Sequence, residues 1–167
     1  MELHMHSHHY VRRLPDWSAA AVSGVVAGAL LLLMELFWST MMSDGHPWGM
    51  TRIIAAIVMG QDVLQTSMFS IGTTAAALII HFALGAILGV VLAMIIAPFQ
   101  LDSSLGLSLL VGAVFGIVVY LFNFYVMTRA FPWFIELRGW HTVLSHVIFG
   151  MAIGFCYWKL ESRDVSH

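Results

Sequence analysis

Two histidines stand inside apolar runs of this 167-residue chain, and each is followed at four-residue intervals by two glycines. One run reads HFALGAILG, with His81, Gly85 and Gly89; the other reads HVIFGMAIG, with His146, Gly150 and Gly154. A second matched pair lies elsewhere: GVVAGALLLLMELFW holds Gly24, Gly28 and Glu35, and GAVFGIVVYLFNFYV holds Gly112, Gly116 and Asn123 at the same offsets. An ionisable group in a membrane span costs roughly 2.5 to 3.5 kcal/mol on insertion scales, so it turns inward and finds a partner. A carboxyl, an amide and two imidazoles then admit three chemistries. Glu35, His81 and His146 are a ligand set suited to an iron or zinc ion, and two opposed imidazoles suffice for haem b. A buried carboxyl beside an imidazole can relay a proton or line the path of a small solute. The same four groups can instead be structural, with Glu35 bonding one histidine and Asn123 the other to fix helix register.

The glycines carry their own pair of readings. At i, i+4 and i+8 they share a helical face, and small faces let two backbones approach closely. Gly24, Gly28, Gly85, Gly89, Gly112, Gly116, Gly150 and Gly154 are therefore expected to pack helices, or else to leave a slot beneath each histidine for a flat cofactor.

The elements that position these residues follow from composition. At 60% hydrophobic and 10% charged residues, with a mean hydropathy of +0.88, the chain has too little polar surface to coat a soluble globule. Four apolar stretches reach the ~20 residues that a helix needs to cross ~30 Å of hydrocarbon. They run from Trp17 to Met42, Ile71 to Pro98, Leu105 to Thr128 and Trp140 to Lys159. The first is too long for a signal peptide and lacks a small-residue cleavage site after it. The expected fold is an all-α integral membrane protein of four transmembrane helices plus a short interfacial helix at residues 47–59, begun by Pro47, with a re-entrant segment as the alternative there. Residues 1–16 form a tail with His4, His6, His8 and His9, read as solvated rather than as a metal tract, and 160–167 form a second tail. The single Cys156 excludes an internal disulfide and reads as packing.

Spacing also implies an internal repeat. Residues 17–98 and 105–159 each contain a Gly-Gly-Glu/Asn helix, a Pro-Trp pair (Pro47-Trp48, Pro132-Trp133) and a His-Gly-Gly helix. Two spans per half make the repeats parallel, related by an axis along the membrane normal, so equivalent residues share a depth. At ~1.5 Å per residue, Glu35 lies about 27 Å from Trp17 and His81 about 26 Å from Pro98. Glu35, His81, Asn123 and His146 are thus expected to meet in one interior layer, the histidines facing each other across one diagonal and Glu35 facing Asn123 across the other. Arg12, Arg13, Lys159 and Arg163 fall on the side of the termini, against Arg52, Arg129 and Arg138 opposite, which votes for cytoplasmic termini in a bacterial inner membrane. On the far side, Asp44, His46, Glu136, Arg138 and His141 fall near aromatic belts, and Trp48, Trp133 and Trp140 read as interfacial anchors.

The segments PWGMTRIIAAIVMGQDVL, NFYVMTRAFPWF and RGWHTVLSHVIFG resemble signature segments of a family of small four-helix bacterial inner-membrane proteins, some labelled sodium:proline symporter. The resemblance covers Trp17 to Lys159 and implies the four-helix membrane fold. A sodium/solute symporter needs inverted repeats and broken helices at a midplane site, whereas these repeats are parallel.

No nucleophile-base-acid set, phosphate-binding glycine loop or paired-cysteine motif occurs, so an enzyme of familiar type is not expected. The chain has no basic patch for nucleic acid, and its partner is the lipid bilayer. Two functions stay open. One is an accessory or cofactor-holding subunit, for a metal ion or haem, in a larger membrane complex or homo-oligomer. The other is a small oligomeric transporter or channel for a proton, an ion or a small solute.

Overall fold

A computed structural model describes residues 13–42, 49–66 and 68–164. The histidine-rich segment with His4, His6, His8 and His9, the Pro47-Trp48 pair, Asp44 and His46 all lie outside the described residues. The described chain is helical: α1 (Trp17–Met42), α2 (Gly49–Met59), α3 (Ile71–Phe99), α4 (Leu105–Leu121) and α5 (Trp140–Asp164), with short 3-10 turns between them. Four of these helices are long and apolar enough to cross a membrane, α4 counting together with the turns that prolong it to Arg129. Helix α5 runs to Asp164, so the second tail is helical well past Lys159.

Local chemistry sets the helix ends. Asp16 Oδ1 accepts from the Ala19 amide at 2.9 Å, Ser70 Oγ from Thr73 at 3.3 Å and Ser104 Oγ from Leu107 at 3.2 Å. Each side chain thus satisfies an amide that has no partner within its helix. Gly60, at φ 86°, ends α2 in a conformation that L side chains rarely adopt. Helix α3 stops just after Pro98, where Gln100 turns left-handed and the Leu101 amide reaches back to the Ile96 carbonyl at 3.0 Å.

Three pairs of helices pack along their lengths: α1 with α3, α4 with α5, and α1 with α5. Helix α3 barely touches α4 or α5, and α2 packs on α3. The spans alternate in direction, so the bundle has one end carrying the termini and another carrying α2 and the 122–139 segment. The closely packed core, which includes Ala20, Leu92, Ile96, Phe149, Ile153 and Tyr157, lies toward the termini. There Arg13 pairs with Asp102 at 3.0 Å and with Glu161, tying the lead into α1, the α3–α4 loop and α5 together. The other half of the bundle is hollow.

The glycines lie where the helices come nearest. A Cβ on Gly24 would fall 2.0 Å from the Gly85 carbonyl oxygen, and one on Gly112 would fall 2.3 Å from that of Gly150. Farther along, Gly89 meets the Ala20 carbonyl at 2.3 Å and Gly154 meets that of Ser108 at 2.5 Å. These contacts correspond one to one under the repeat. They also correct the idea of a cofactor slot, because partner-helix backbone fills the glycine face below each histidine.

Candidate functional site

A cavity of about 530 Å³ occupies the hollow half, and Glu35, His81, Asn123 and His146 all line it. Most of its wall is apolar. Helix α2 contributes Met50, Ile53, Ile54 and Ile57, and the segment after α4 contributes Phe131 and Phe134. These two pieces roof the cavity and are joined where the Trp133 indole N–H donates to the Ile53 carbonyl at 3.2 Å. The mouth lies between α3 and α4: Leu84, Ile87, Val118 and Phe122 line the cavity and are still 46% to 57% exposed. In a bilayer that opening would face acyl chains.

The two histidines occupy equivalent positions with different bonds. His81 donates from Nε2 to the Gly28 carbonyl at 2.7 Å, across the α1–α3 seam. His146 donates from Nδ1 to the Thr142 carbonyl of its own helix at 2.8 Å and packs edge-on against Tyr120 and Phe124. Helix separation explains the difference. A Cβ on Gly116 would sit 2.0 Å from the His146 carbonyl oxygen, whereas one on Gly28 finds nothing nearer than the His81 ring at 3.7 Å. The wider first seam admits a ring between its helices; the tighter second seam turns the ring back onto its own helix.

Glu35 is buried, with Oε1 lacking a hydrogen-bond partner among the described residues. The side chain facing its carboxyl is Ser145 of α5, not a histidine and not Asn123. The expected register network of Glu35 and Asn123 on the two imidazoles is therefore corrected: both rings bond backbone carbonyls. The three-ligand metal centre is corrected as well. Among the described residues no three His, Cys, Asp or Glu side chains group as a metal-ligand set, so Glu35, His81 and His146 share a cavity wall without forming one.

Asn123 is carried by a π-helical turn, Phe122–Val126, that prolongs α4. Such a turn inserts a residue, loosens the backbone hydrogen-bond ladder and recurs at functional sites. Here it turns Asn123 to the cavity and Phe124 into the core. Arg138 supports it, donating from Nε to the Phe124 carbonyl at 2.6 Å with its guanidinium 4.2 Å over the Tyr125 ring. Ser145 and Thr142 were not picked out by sequence reasoning, because a hydroxyl in a span usually satisfies itself on its own helix, as Ser23 does on the Ala19 carbonyl. The one available signal was their helical spacing, Thr142 four residues before His146 and Ser145 four residues after His141.

Comparison with family models, curated proteins and solved structures gives no match to this chain. The site combines an opening between α3 and α4, an apolar wall, and the polar side chains of Glu35, His81, Asn123, Thr142 and His146 in one hollow.

Proposed function

We propose that this protein is a membrane-embedded binding subunit that holds a lipophilic small molecule bearing a hydrogen-bonding head. The carrying observation is the lateral cavity, whose volume falls in the ~300 to 1,000 Å³ range of small-molecule sites and whose apolar wall is broken by a few polar side chains. An apolar body would enter between α3 and α4, and its head would meet the Asn123 amide and the ring nitrogens not committed to backbone, Nδ1 of His81 and Nε2 of His146. This keeps the cofactor-holding reading and changes the cofactor's class from a metal centre to an organic molecule.

The distribution of basic residues, with Arg12, Arg13, Lys159 and Arg163 on the side of the termini, supports cytoplasmic termini, and the bacterial inner membrane follows only from the resemblance of the signature segments. Labelling of a cysteine placed at Arg52 by an impermeant reagent from outside agrees with that orientation; labelling only from inside reverses it.

Organic extraction and mass spectrometry of the purified protein, with an absorption spectrum taken beforehand, test the function. We expect a stoichiometric lipophilic compound in the native chain and its loss in Leu84→Trp and Val118→Trp, which narrow the mouth. A Soret band lost in both His81→Ala and His146→Ala replaces this reading with haem. Solute flux in proteoliposomes without a bound compound replaces it with transport.

A further inference from the structure

The seam between α1 and α5 contains polar atoms that the fold leaves unsatisfied. Glu35 Oε1, Trp38 Nε1, His141 Nδ1, Thr142 Oγ1 and Ser145 Oγ are buried and have no hydrogen-bond partner among the described residues. Thr142 and Ser145 are essentially inaccessible as whole residues, and Glu35 is more than nine-tenths buried. Buried polar groups in native proteins are almost always paired, with protein or with ordered water. A cluster of bare ones in a single seam marks a place where water is held.

The atoms are in an order that follows from helix geometry. Helices α1 and α5 are antiparallel, so a step forward from Glu35 matches a step backward from Ser145. Ser145 faces the Glu35 carboxyl. Trp38, three residues beyond Glu35, packs on the ring of His141, four residues before Ser145, with centroids 6.1 Å apart. Thr142 lies between these two levels, which are about 5 Å apart, a gap of the length that one or two waters span. Past Trp38 and His141 comes Trp140, largely exposed at the α2 end. Glu35 and Thr142 both line the cavity.

We infer that the α1–α5 seam is a short hydrated proton path, leading from His141 at the α2 end through Thr142 and Ser145 to Glu35. The hydroxyls and the imidazole nitrogen can each donate or accept as they reorient, as a hopping proton requires; the Trp38 indole can only donate and so orients a water at the entrance. The neighbouring titratable groups are His81 and His146, whose rings are anchored on the Gly28 and Thr142 carbonyls, and Arg138, which is committed to the Phe124 carbonyl and the Tyr125 ring. Glu35 is then the group that exchanges a proton with whatever fills the cavity. Its carboxylic acid gives a proton to a basic head group and the resulting carboxylate is reprotonated from water through His141, or the same transfers run in reverse. This inference rests on the proposed cavity only for the proton's destination, and it narrows the ligand to a lipophilic molecule with an exchangeable proton in its head.

Infrared spectroscopy of the full-length protein in phospholipid vesicles, switched from H2O to D2O, tests the path without any ligand. The carboxylic acid C=O band of Glu35 is identified by its loss in Glu35→Gln, across acidic to neutral pH. In the native chain that band should shift as fast as the solvent is exchanged. In Thr142→Val combined with Ser145→Ala, and in His141→Phe, the shift should slow by more than about tenfold, since positioned groups contribute at least that much to proton transfer. Exchange of loop amides should be unchanged. Ser145→Ala alone serves if the double variant misfolds, and Ser145→Thr, which keeps the hydroxyl, should restore the native rate. An unchanged rate in the hydroxyl variants overturns the path, as does a Glu35 band that never exchanges or the absence of any Glu35-dependent acid band. The mouth variants Leu84→Trp and Val118→Trp should leave this exchange intact; retention of the lipophilic compound in them sinks the cavity reading while the proton path stands.

Discussion

Under the repeat, α1 against α5 corresponds to α4 against α3, yet the first pair packs along its length and the second barely meets. By contrast, the seam inside each half is duplicated closely: Gly24 and Gly85 in one, Gly112 and Gly150 in the other, hold the helices at backbone contact. The duplicated units are therefore closely packed helix pairs, and asymmetry enters where the pairs meet. The first half carries α2, which packs on α3 and helps roof the gap, while in the second half a 3-10 turn, Pro132–Leu137, stands in the matching place. A repeat with unequal insertions makes one closed junction and one open one, and the open one is the cavity.

The two seams differ most at Gly116 and Gly28. A methyl group at Gly116 meets backbone at 2.0 Å, so Gly116→Ala should destabilise by about 1 to 3 kcal/mol. Gly28→Ala meets only ordinary contacts, the nearest at 3.7 Å, and should stay within about 0.5 kcal/mol. Unfolding titrations in mixed detergent micelles measure both; equal costs would mean the seams are equally tight.

At the end of the termini, Arg13→Ala leaves the nearly buried carboxyls of Asp102 and Glu161 without their shared cation. We expect a loss of about 1 to 2 kcal/mol, discounted because Arg13 itself is over a third exposed. Arg13→Lys should recover only part of it, since an ammonium cannot fork to two carboxylates as a guanidinium does. A full recovery in the same titration would show that charge alone holds that end.

The histidines give a smaller contrast. His81→Phe removes a bond between helices and should cost about 1 kcal/mol. His146→Phe removes a bond to a carbonyl of its own helix, keeps the ring contacts with Tyr120 and Phe124, and should cost about 0.5 kcal/mol or less. The reverse ranking would mean that the second seam, not the first, depends on its imidazole. Smallest of all should be Leu84→Trp at the open junction, within about 0.5 kcal/mol because the position is nearly half exposed. A larger effect on thermal stability would indicate that α3 and α4 close against each other in the membrane.

Much of this architecture was legible in the sequence. Apolar run length determined four spans, because a bilayer admits only helices or closed barrels and ~20 apolar residues is a helix's length. The offsets between Gly24, Gly28 and Glu35 and between Gly112, Gly116 and Asn123 implied a repeat whose glycine contacts recur in both halves, and the polar residues it aligns line one cavity. What each polar group bonds was decided by the tertiary structure. His81 reaches Gly28 and His146 does not reach Gly116, because that choice depends on a difference between helix separations that equivalent glycines do not encode. Ser145, rather than a histidine, faces Glu35 because the rotation of α5 about its axis is set by its packing on both α1 and α4. The cavity itself belongs to neither half: it exists because α3 and α4 stand apart beneath a roof of α2 and the 122–137 segment, a relation between distant parts of the chain that no local pattern carries.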